Sequence, residues 1–303
     1  MADRLDSMAI LVACVDAGSL SAGARQLRLP LATVSRRVAE LEDRLGTALL
    51  HRSARGLSLT DPGSAYVAAC RRVLEDVAEA ERAASGEFAA PRGQLALTAP
   101  IVFGRLHVLP AATAFLQAYP EVAIRLEQTD RPVSLQDENI DAAIRIGRLP
   151  DSSLRARRLG TVRRVLCAAP GYLAARGRPD SPEALADHDC IAFGSLAASG
   201  RWNLGAGRDA RAVPVRARLS VNTAEAAVGA AAAGLGMARV LSYQIAAPLA
   251  AGQLEILLER CEPEPWPVSL LYRPGPVPQK LRAFIDFAAP RLEAALPPVP
   301  LRG

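Results

Sequence analysis

A short stretch near the N-terminus gathers small, hydroxyl and guanidinium side chains on one face of a predicted helix. It begins at position 31 and reads LATVSRRVAELEDRL. Its apolar residues recur every three or four positions, which predicts a helix with a buried stripe of Val34, Val38, Leu41 and Leu45. The opposite face then carries Ala32, Thr33, Ser35 and Arg36, with Arg37 at its rim. Such side chains suit contacts with the base edges and phosphates of DNA.

The preceding residues predict the elements that position this helix. Helical spacing of apolar residues predicts a first helix over 5–15, and Ser21 lies at the start of a second one that Pro30 ends. Two short helices joined by a tight turn form a helix-turn-helix, whose second helix enters the DNA major groove. We therefore expect double-stranded DNA as a partner, with Ser21 among the contacts and Leu31 against a thymine methyl group.

The stretch RSARGLSL at 52–59 predicts two short strands around Gly56. This hairpin would place Arg52 and Arg55 on a wing, where they would meet phosphates or the minor groove. The alternative is that the arginines of this region only solvate the protein surface. The helix-turn-helix, the hairpin and the long helix that follows favour DNA contact when they occur in this order.

A long helix is predicted over 62–85, after the hairpin. Its apolar stripe contains Tyr66, Cys70, Val73 and Val77 at steps of four, three and four. Packing on its own domain is one interpretation of the stripe. Pairing with a second copy is favoured, because no other N-terminal segment is predicted to cover it.

Composition limits the classes of protein to which the chain can belong. The 303 residues are half apolar and carry a net charge of +5. Residues 1–91 hold 11 arginines and 12 acids, so DNA contact must depend on a local patch. The N-terminus lacks the apolar core of a signal peptide, and no run of about 20 apolar residues predicts a membrane span. We expect a cytoplasmic protein without a membrane partner.

The isolated cysteines and histidines argue against several kinds of chemistry. The five cysteines and three histidines form no metal-binding cluster, disulfide framework or local catalytic group. No phosphate-binding loop or nucleophile motif is present either. The sequence therefore predicts no metal, no cofactor and no enzymatic activity. After a linker at 86–93, strands alternate with helices, which predicts an α/β domain.

These features together resemble the LysR-type transcriptional regulators. The resemblance is carried by GSLSAGARQL (18–27), VSRRVAELEDRLGTALLHR (34–52) and GLSLTDPG (56–63). Further along, it is carried by LALTAPIVFGRLHVLPAATAFLQAYPEV (95–122), IDAAIRIGRLPDSSLRARRLG (140–160) and VNTAEAAVGAAAAGLGMARV (221–240). The C-terminal segments look closest to a proteobacterial branch that often answers to small organic acids.

The resemblance implies an α+β multidomain fold with three parts. Residues 1–61 would form a winged helix-turn-helix, and residues 62–91 a linker and dimerisation helix with its hinge. Residues 92–303 would form a two-lobed α/β effector domain like a periplasmic binding protein. The lobes would comprise about 92–165 with 268–303, and about 166–267.

The resemblance also implies a small-molecule effector, a carboxylate, held in the cleft between the lobes. Helix N-termini and hydroxyl groups would hold it there. The candidate effector-binding residues lie at strand ends and at the starts of helices: Thr98, Pro100, Phe103, Thr129, Asp130, Arg145, Gly147, Asn222 and Thr223. Thr98 and Thr223 could equally serve only as turn or cap residues, and Arg145 as a surface ion-pair partner.

The chain departs from the family pattern in places that bear on both sites. Pro30 and Leu31 stand where a polar residue commonly begins the recognition helix. Val102 replaces a frequent serine, and Ala238-Arg239 replaces a usual Leu-Pro pair near the ligand site. The expected function is an effector-responsive DNA-binding regulator, assembled as a homodimer or homotetramer, and a contact with RNA polymerase stays open. The alternatives are a regulator without a ligand, an architectural DNA binder, a solute-binding protein, or an enzyme fused to a DNA-binding domain.

Overall fold

The computed structural model describes most of the chain, namely residues 4–53, 56–84, 90–131, 133–135, 139–149, 153–194 and 200–296. The chain divides into two compact units, Met1–Gly93 and Gln94–Gly303. Each unit has a hydrophobic core of its own.

The first unit is a winged helix-turn-helix followed by a long helix, which confirms the predicted fold class. Its elements in chain order are α1 (Arg4–Asp16), α2 (Leu20–Leu27), α3 (Leu31–Leu45), β1 (Leu50–Ser53), β2 (Gly56–Leu59) and α4 (Asp61–Ala84). The strands β1 and β2 pair antiparallel, with Leu50 opposite Leu59. Glu42 of α3 accepts hydrogen bonds from the backbone N–H groups of Leu49 and Leu50, so it ties the helix to the hairpin.

The orientation of α3 follows from its apolar stripe. Val34, Val38 and Leu41 are almost completely buried in the core of the first unit. Leu45 is an exception to the expected stripe, because its side chain is 39% exposed. Gly46 ends the helix directly after Leu45 in a left-handed conformation, with φ of 67°. The last turn of α3 therefore extends beyond the core.

The first turns of α4 pack on the helix-turn-helix. Val67 belongs to its core, Tyr66 packs against that core, and Cys70 is buried. The expectation that the whole stripe lacks a partner in its own domain is therefore wrong for Tyr66 and Cys70. Val73 is 39% exposed and Val77 is half-buried, so the exposed part of the stripe begins at Val73.

The second unit contains a first five-stranded sheet with the strand order β4-β3-β5-β14-β6. Its strands are β3 (Gly93–Ala99), β4 (Val122–Gln128), β5 (Ala142–Ile146), β6 (Arg155–Val162) and β14 (Trp266–Tyr272). Its helical elements are α5 (Ile101–Phe103), a π-helical turn (Gly104–Val108), α6 (Leu109–Ala118) and α10 (Gln279–Ala294). The strands β3 and β5 are parallel, whereas β14 runs antiparallel to both β5 and β6.

A second five-stranded sheet has the order β11-β8-β12-β7-β13, and a hairpin of β9 and β10 accompanies it. The strands are β7 (Arg164–Ala168), β8 (Asp189–Phe193), β9 (Arg201–Leu204), β10 (Arg211–Pro214), β11 (Arg216–Val221), β12 (Met237–Leu241) and β13 (Glu255–Leu257). The helices are α7 (Pro170–Arg176), α8 (Ala224–Ala232) and α9 (Ala246–Ala250). Short 3₁₀ turns span Glu183–Asp187, Gly207–Asp209, Ser242–Ile245 and Glu259–Cys261.

The chain crosses between the two sheets twice. The first crossing lies at Arg163, between β6 and β7, and the second lies between β13 and β14. Arg163 links the crossings, because its guanidinium donates hydrogen bonds to Glu262 and to Glu259. Two sheets joined by two crossings form the two-lobed α/β architecture that the family resemblance implies.

One continuous helix among the described residues, Ile101–Ala118, is long and apolar enough to cross a membrane. Its side chains nevertheless serve a different purpose here. Phe103, Val108 and Phe115 are fully buried in the core of the first sheet. The segment is accordingly a core helix of this lobe.

The close packing of α2 on α1 generates a prediction about Gly23. A Cβ atom at Gly23 would lie 2.7 Å from Cα of Cys14, so Gly23→Ala should force the helices apart. We expect a loss of about 1–3 kcal/mol in the free energy of unfolding, measured by urea unfolding followed by circular dichroism. Gly229→Ala is the matched control, because nothing lies within 4 Å of that Cβ position in α8. The control should be neutral or stabilising, and equal effects of both changes would contradict the packing argument.

Candidate nucleic-acid interface and ligand cavity

The outward face of α3 presents the side chains that the sequence assigned to it. Leu31 is 50% exposed, Ala32 and Arg36 are exposed, and Thr33 and Ser35 are half-buried. Because Val34 and Val38 hold the opposite face in the core, these five residues form one surface. The structure therefore brings the small, hydroxyl and guanidinium groups together on the second helix of the helix-turn-helix, in the position that reads a major groove.

Two neighbouring arginines of α3 have different surroundings. Arg36 Nη1 lies 2.9 Å from Glu40 Oε1, and the two side chains are 63% and 46% exposed. A surface pair of this kind contributes only about 0–1 kcal/mol, so Arg36 can exchange Glu40 for DNA at little cost. Arg37 is half-buried, and its Nε and Nη1 atoms are shielded from solvent without a hydrogen-bond partner among the described residues.

The first turns of α2 and α3 are capped in different ways. Ser19 caps α2, because its hydroxyl accepts a hydrogen bond of 3.1 Å from the N–H of Ala22. Ser21 is exposed, with its hydroxyl 3.2 Å from that of Ser19. Pro30 precedes α3 and gives it no side-chain cap. The N–H groups of the first turn of α3 are thus not claimed by a capping side chain, which suits an anion such as a DNA phosphate.

The wing is described in its backbone but not in its predicted contact residues. Arg52 lies in β1 opposite Leu57 of β2. Arg55 and the side chain of Arg52 lie outside the described residues.

A cavity of about 530 Å³ lies between the two sheets of the second unit. About half of the residues around it are apolar. The lining residues are Pro100, Thr129, Asp130, Arg131, Val133, Leu135, Arg145, Ile146, Arg148, Leu149, Leu154, Arg164, Phe193, Gly194, Arg239, Val240, Leu241, Tyr243, Gln244, Trp266 and Leu271. A cavity of this size is in the range that holds small organic ligands.

Four of the nine expected effector-binding residues line this cavity. They are Pro100, Thr129, Asp130 and Arg145. Thr129 is half-buried at the end of β4, and Nη1 of Arg145 donates to the backbone carbonyl of Ile144 at 3.3 Å. The ends of β4 and β5 therefore meet at the cavity, as expected for neighbouring strand ends in one sheet.

Asp130 occupies the position that a ligand carboxylate was expected to take. Its Oδ1 atom accepts a hydrogen bond of 3.1 Å from the N–H of Ile101, the first residue of the 101–118 helix. A carboxylate at a helix N-terminus is favourable because of the unpaired N–H groups and the helix dipole. Here the protein supplies that carboxylate itself.

The other five expected residues do not line the cavity. Thr98 is buried in β3, opposite Ala143 of β5. Phe103 is buried in the lobe core, and its ring centroid lies 5.4 Å from that of Tyr243. Thr223 accepts a hydrogen bond of 3.3 Å from the N–H of Ala226, which makes it the N-cap of α8.

Asn222 and Gly147 complete this group. Asn222 is exposed beside the cap of α8. Gly147 has a φ of 115°, which other residues rarely adopt, and its N–H donates to the carbonyl of Pro267. Gly147 and Asn222 therefore lie in turns, and neither residue lines the cavity.

Charged residues that the sequence did not single out as ligand contacts also face the cavity. Arg164 begins β7, and its Cζ atom lies 3.5 Å above the ring centroid of Trp266. Arg239 in β12 is only 3% exposed. Burial lowers the pKa of Arg164 to about 10. Burial, together with the nearby charge of Arg164, lowers the pKa of Arg239 to about 9.

The charge around the cavity is strongly one-sided. Among the described residues, five arginines and one aspartate line it. Arg131 and Arg148 lie at the exposed rim, where they pair with Glu127 and Glu264 at 3.4 and 3.2 Å. The interior contribution therefore comes from Arg145, Arg164 and Arg239, which favours an anion.

A more open depression of about 710 Å³ lies elsewhere on the second lobe. Its charges are arranged differently. The buried carboxylate of Asp189 receives a hydrogen bond of 3.1 Å from Arg218 and another from Arg216. These arginines hold the pKa of Asp189 below its usual value. The positive charges of these arginines are thus paired with a carboxylate of the protein itself.

Two family descriptions match the chain and together span most of it. "Bacterial regulatory helix-turn-helix protein, lysR family" matches residues 5–64, and "LysR substrate binding domain" matches residues 89–293. The chain belongs to the LysR family of transcriptional regulators. It is a DNA-binding transcriptional regulator with an effector-binding domain.

Known LysR-type regulators resemble the chain along most of its length. It is 34% identical to an HTH-type transcriptional regulator of Xanthomonas campestris, over 96% of this chain and 86% of that protein. It is 35% identical to an HTH-type transcriptional repressor of Pseudomonas aeruginosa, over 94% and 91%. The structure of CrgA from Neisseria meningitidis aligns with a TM-score of 0.61 and 30% identity, over 95% of this chain and 98% of that one.

In this LysR-type regulator, Arg164 was not singled out from the sequence, and Arg239 was named only as a departure from the family pattern near the ligand site. Arg164 and Arg239 are charged residues in the otherwise apolar strands RVLCA and MARVL. A charge at such a position either pairs with another group or serves a ligand. Among the described residues, no group of three or more His, Cys, Asp or Glu side chains is arranged to hold a metal ion.

The geometry of α3 generates a prediction about sequence reading. Arg36→Ala should weaken binding to a site selected from random DNA by about 1–3 kcal/mol and relax the base preference at one position. Glu40→Gln is the control. Glutamine has the same side-chain length as glutamate but lacks the negative charge that pairs with Arg36. The control should keep the base preference and strengthen binding to all sequences. Fluorescence anisotropy on selected and scrambled duplexes measures both effects, and an equal loss on the two duplexes would show that Arg36 contacts only the backbone.

Proposed function

We propose that this LysR-type regulator binds its operator through α3 and the wing, and that a small organic acid in the cavity sets its activity. The observation that carries the proposal is the excess of arginine over acid around a cavity of about 530 Å³. Carboxylates are the common small metabolites that such a charge selects. The regulator would act in the cytoplasm, where its DNA and its effector meet.

The DNA-contacting residues in this proposal are those of the exposed helix face and the wing. Thr33, Ser35 and Arg36 would read or approach base edges, and Leu31 with Ala32 would contact a thymine methyl group. Ser21, Arg37, Arg52 and Arg55 would contact the backbone. Backbone contacts of this kind make affinity strongly dependent on salt concentration.

We further propose that α4 pairs with α4 of a second copy. Its N-terminal turns pack on their own unit, while Val73 and Val77 continue the apolar stripe toward solvent. An exposed apolar stripe on a long helix suits pairing with an equivalent stripe. Further contacts between effector domains would extend the dimer to a tetramer, and RNA polymerase would be met by the assembled protein.

The effector proposal predicts a response to organic acids. Thermal unfolding of the full chain should be shifted upward by one or more acids of a panel, and not by the corresponding amides. The stabilising acid should then change operator affinity by at least about fivefold, because an effector acts through its different affinity for two states. Stabilisation only by neutral sugars or by cations would contradict the proposal.

The pairing proposal predicts the effect of charge on α4. Val73→Asp combined with Val77→Asp should give monomers with weak operator affinity, because two carboxylates would be buried at the interface. Ala65→Asp, at an exposed position in the first turn of α4, is the control and should leave the oligomer intact. Light scattering measures the mass, and an unchanged mass for the double variant would rule out pairing through this stripe.

A further inference from the structure

The guanidinium of Arg239 is buried without a full set of partners. Its Nη2 atom donates to the backbone carbonyl of Asn203. Its Nε and Nη1 atoms have no hydrogen-bond partner within the described ranges of the chain. A buried cationic group in this state is unfavourable, because it has lost water without gaining equivalent hydrogen bonds.

Strand register places Arg164 on the same face as Arg239. Arg239 lies opposite Leu166, and Leu241 lies opposite Arg164, in the antiparallel pair of β12 and β7. Side chains alternate along a strand, and directly opposed residues share a face. Both arginines therefore belong to the cavity face, diagonally across two strands. The other face carries residues that pack in the core with α8, including Val165, Ala238 and Val240.

Protein acids do not neutralise this pair. In the part of the chain that the structure describes, neither Arg164 nor Arg239 forms an ion pair, whereas the rim residues Arg131 and Arg148 each do. Arg164 rests on Trp266, which stabilises a cation but leaves its charge in place. The nearby charge of Arg164 helps to lower the pKa of Arg239. An anion in the cavity would offset this repulsion.

The helix N-terminus beside the cavity cannot take that role as it stands. Asp130 already accepts the N–H of Ile101, so a ligand carboxylate at this point would meet a protein carboxylate. An anion in the cavity would therefore be recognised by arginines, and Arg164 and Arg239 of the second sheet are two of those that line it.

The wall contributed by the first sheet has an apolar patch beside the polar residues Thr129, Asp130 and Arg145. Five residues from β14 and from the loops that follow β4 and β5 form one cluster there, namely Val133, Leu135, Leu149, Leu154 and Leu271. These side chains lack groups that could solvate a second charge. A ligand whose far end packs on this cluster would carry its charge at one end only.

We propose that Arg239, with Arg164 beside it, binds the carboxylate head of a monoanionic acid whose apolar body packs on Leu135, Leu149 and Leu154. The inference rests on the proposed function, since it concerns the acid that would set the activity of the regulator. Arg239 would then be a specificity residue. The carboxylate head of the acid would bind at the second sheet, and its apolar tail would pack against the first sheet. Binding would then hold the two lobes together.

Calorimetric titration of the full chain with hexanoate tests the head group. Arg239→Met keeps the length of the side chain but removes its charge, and should weaken hexanoate binding by at least about tenfold. Arg211→Met is the matched control, because it removes an arginine of the second lobe that pairs with Glu183 at 2.8 Å and does not line the cavity. The control should stay within about twofold of the wild type. Arg164→Met tests the same subsite independently and should also weaken binding.

Stability of the ligand-free variants separates a binding role from a structural one. Removing an unneutralised buried charge should leave the melting temperature of Arg239→Met unchanged or higher. An arginine that only supports the fold would lower it. Wild-type affinity for hexanoate in Arg239→Met and in Arg164→Met would overturn the inference while leaving the proposed function intact. Failure of the wild type to bind any acid of the panel would instead overturn the proposed function, and this inference with it.

A ligand series tests the tail. Affinity should rise by about fourfold for each added CH₂ from acetate through butyrate to hexanoate, as buried apolar surface grows. Adipate has the same chain length as hexanoate but a second carboxylate, so it should bind at least about tenfold more weakly. Equal or tighter binding of adipate would show that the apolar cluster accepts a charge, and the monoanionic assignment would be wrong.

Discussion

The central feature of the effector domain is a positive charge that the protein buries and does not neutralise. Arg239 is 3% exposed on the cavity face of β12, and Arg164 lies diagonally across from it on β7. Other partly buried charges of the chain are paired, for example Asp189 with Arg218 and Arg163 with Glu262. Two unneutralised arginines at the cavity between the lobes therefore favour the binding of an anion there. In the proposed function this preference would select the effector, and a ligand that contacts both walls would link binding to the position of the lobes.

In the DNA-binding unit, some residues of α3 pack in the core and others face solvent. Val34 and Val38 hold one side of α3 in the core, and this fixes Arg36 on the other side. The absence of a side chain at Gly23 permits the close approach of α2 to α1. Glu42 fastens the wing to the helix through two backbone hydrogen bonds. The residues that hold α3 in place are buried and apolar, whereas Arg36 on the outward face forms an exposed ion pair with Glu40.

The sequence predicted what depends on local periodicity. The three helices, the wing and the alternating second unit follow from apolar spacing and breaks at Gly and Pro. The sequence could not predict that Leu45 is exposed or that Cys70 is buried within its own unit. Both results depend on how far one helix extends along its neighbours in the folded unit. Arg164 and Arg239 share a face only through the register of β7 and β12, strands that are distant in sequence. Asp130 likewise follows β4 but caps the helix that begins at Ile101. The sequence therefore could not show that a protein carboxylate already occupies this helix N-terminus.

The account is tested most directly by nuclear magnetic resonance of the arginine Nε–H groups during titration with hexanoate. Each group reports its own hydrogen bonding, and substitutions at Arg164, Arg239 and Arg148 assign the signals. The account predicts that the Arg239 and Arg164 signals move and exchange more slowly with water as hexanoate is added, while the Arg148 signal stays in place. Movement of the Arg148 signal alone, with Arg239 unchanged, would contradict it.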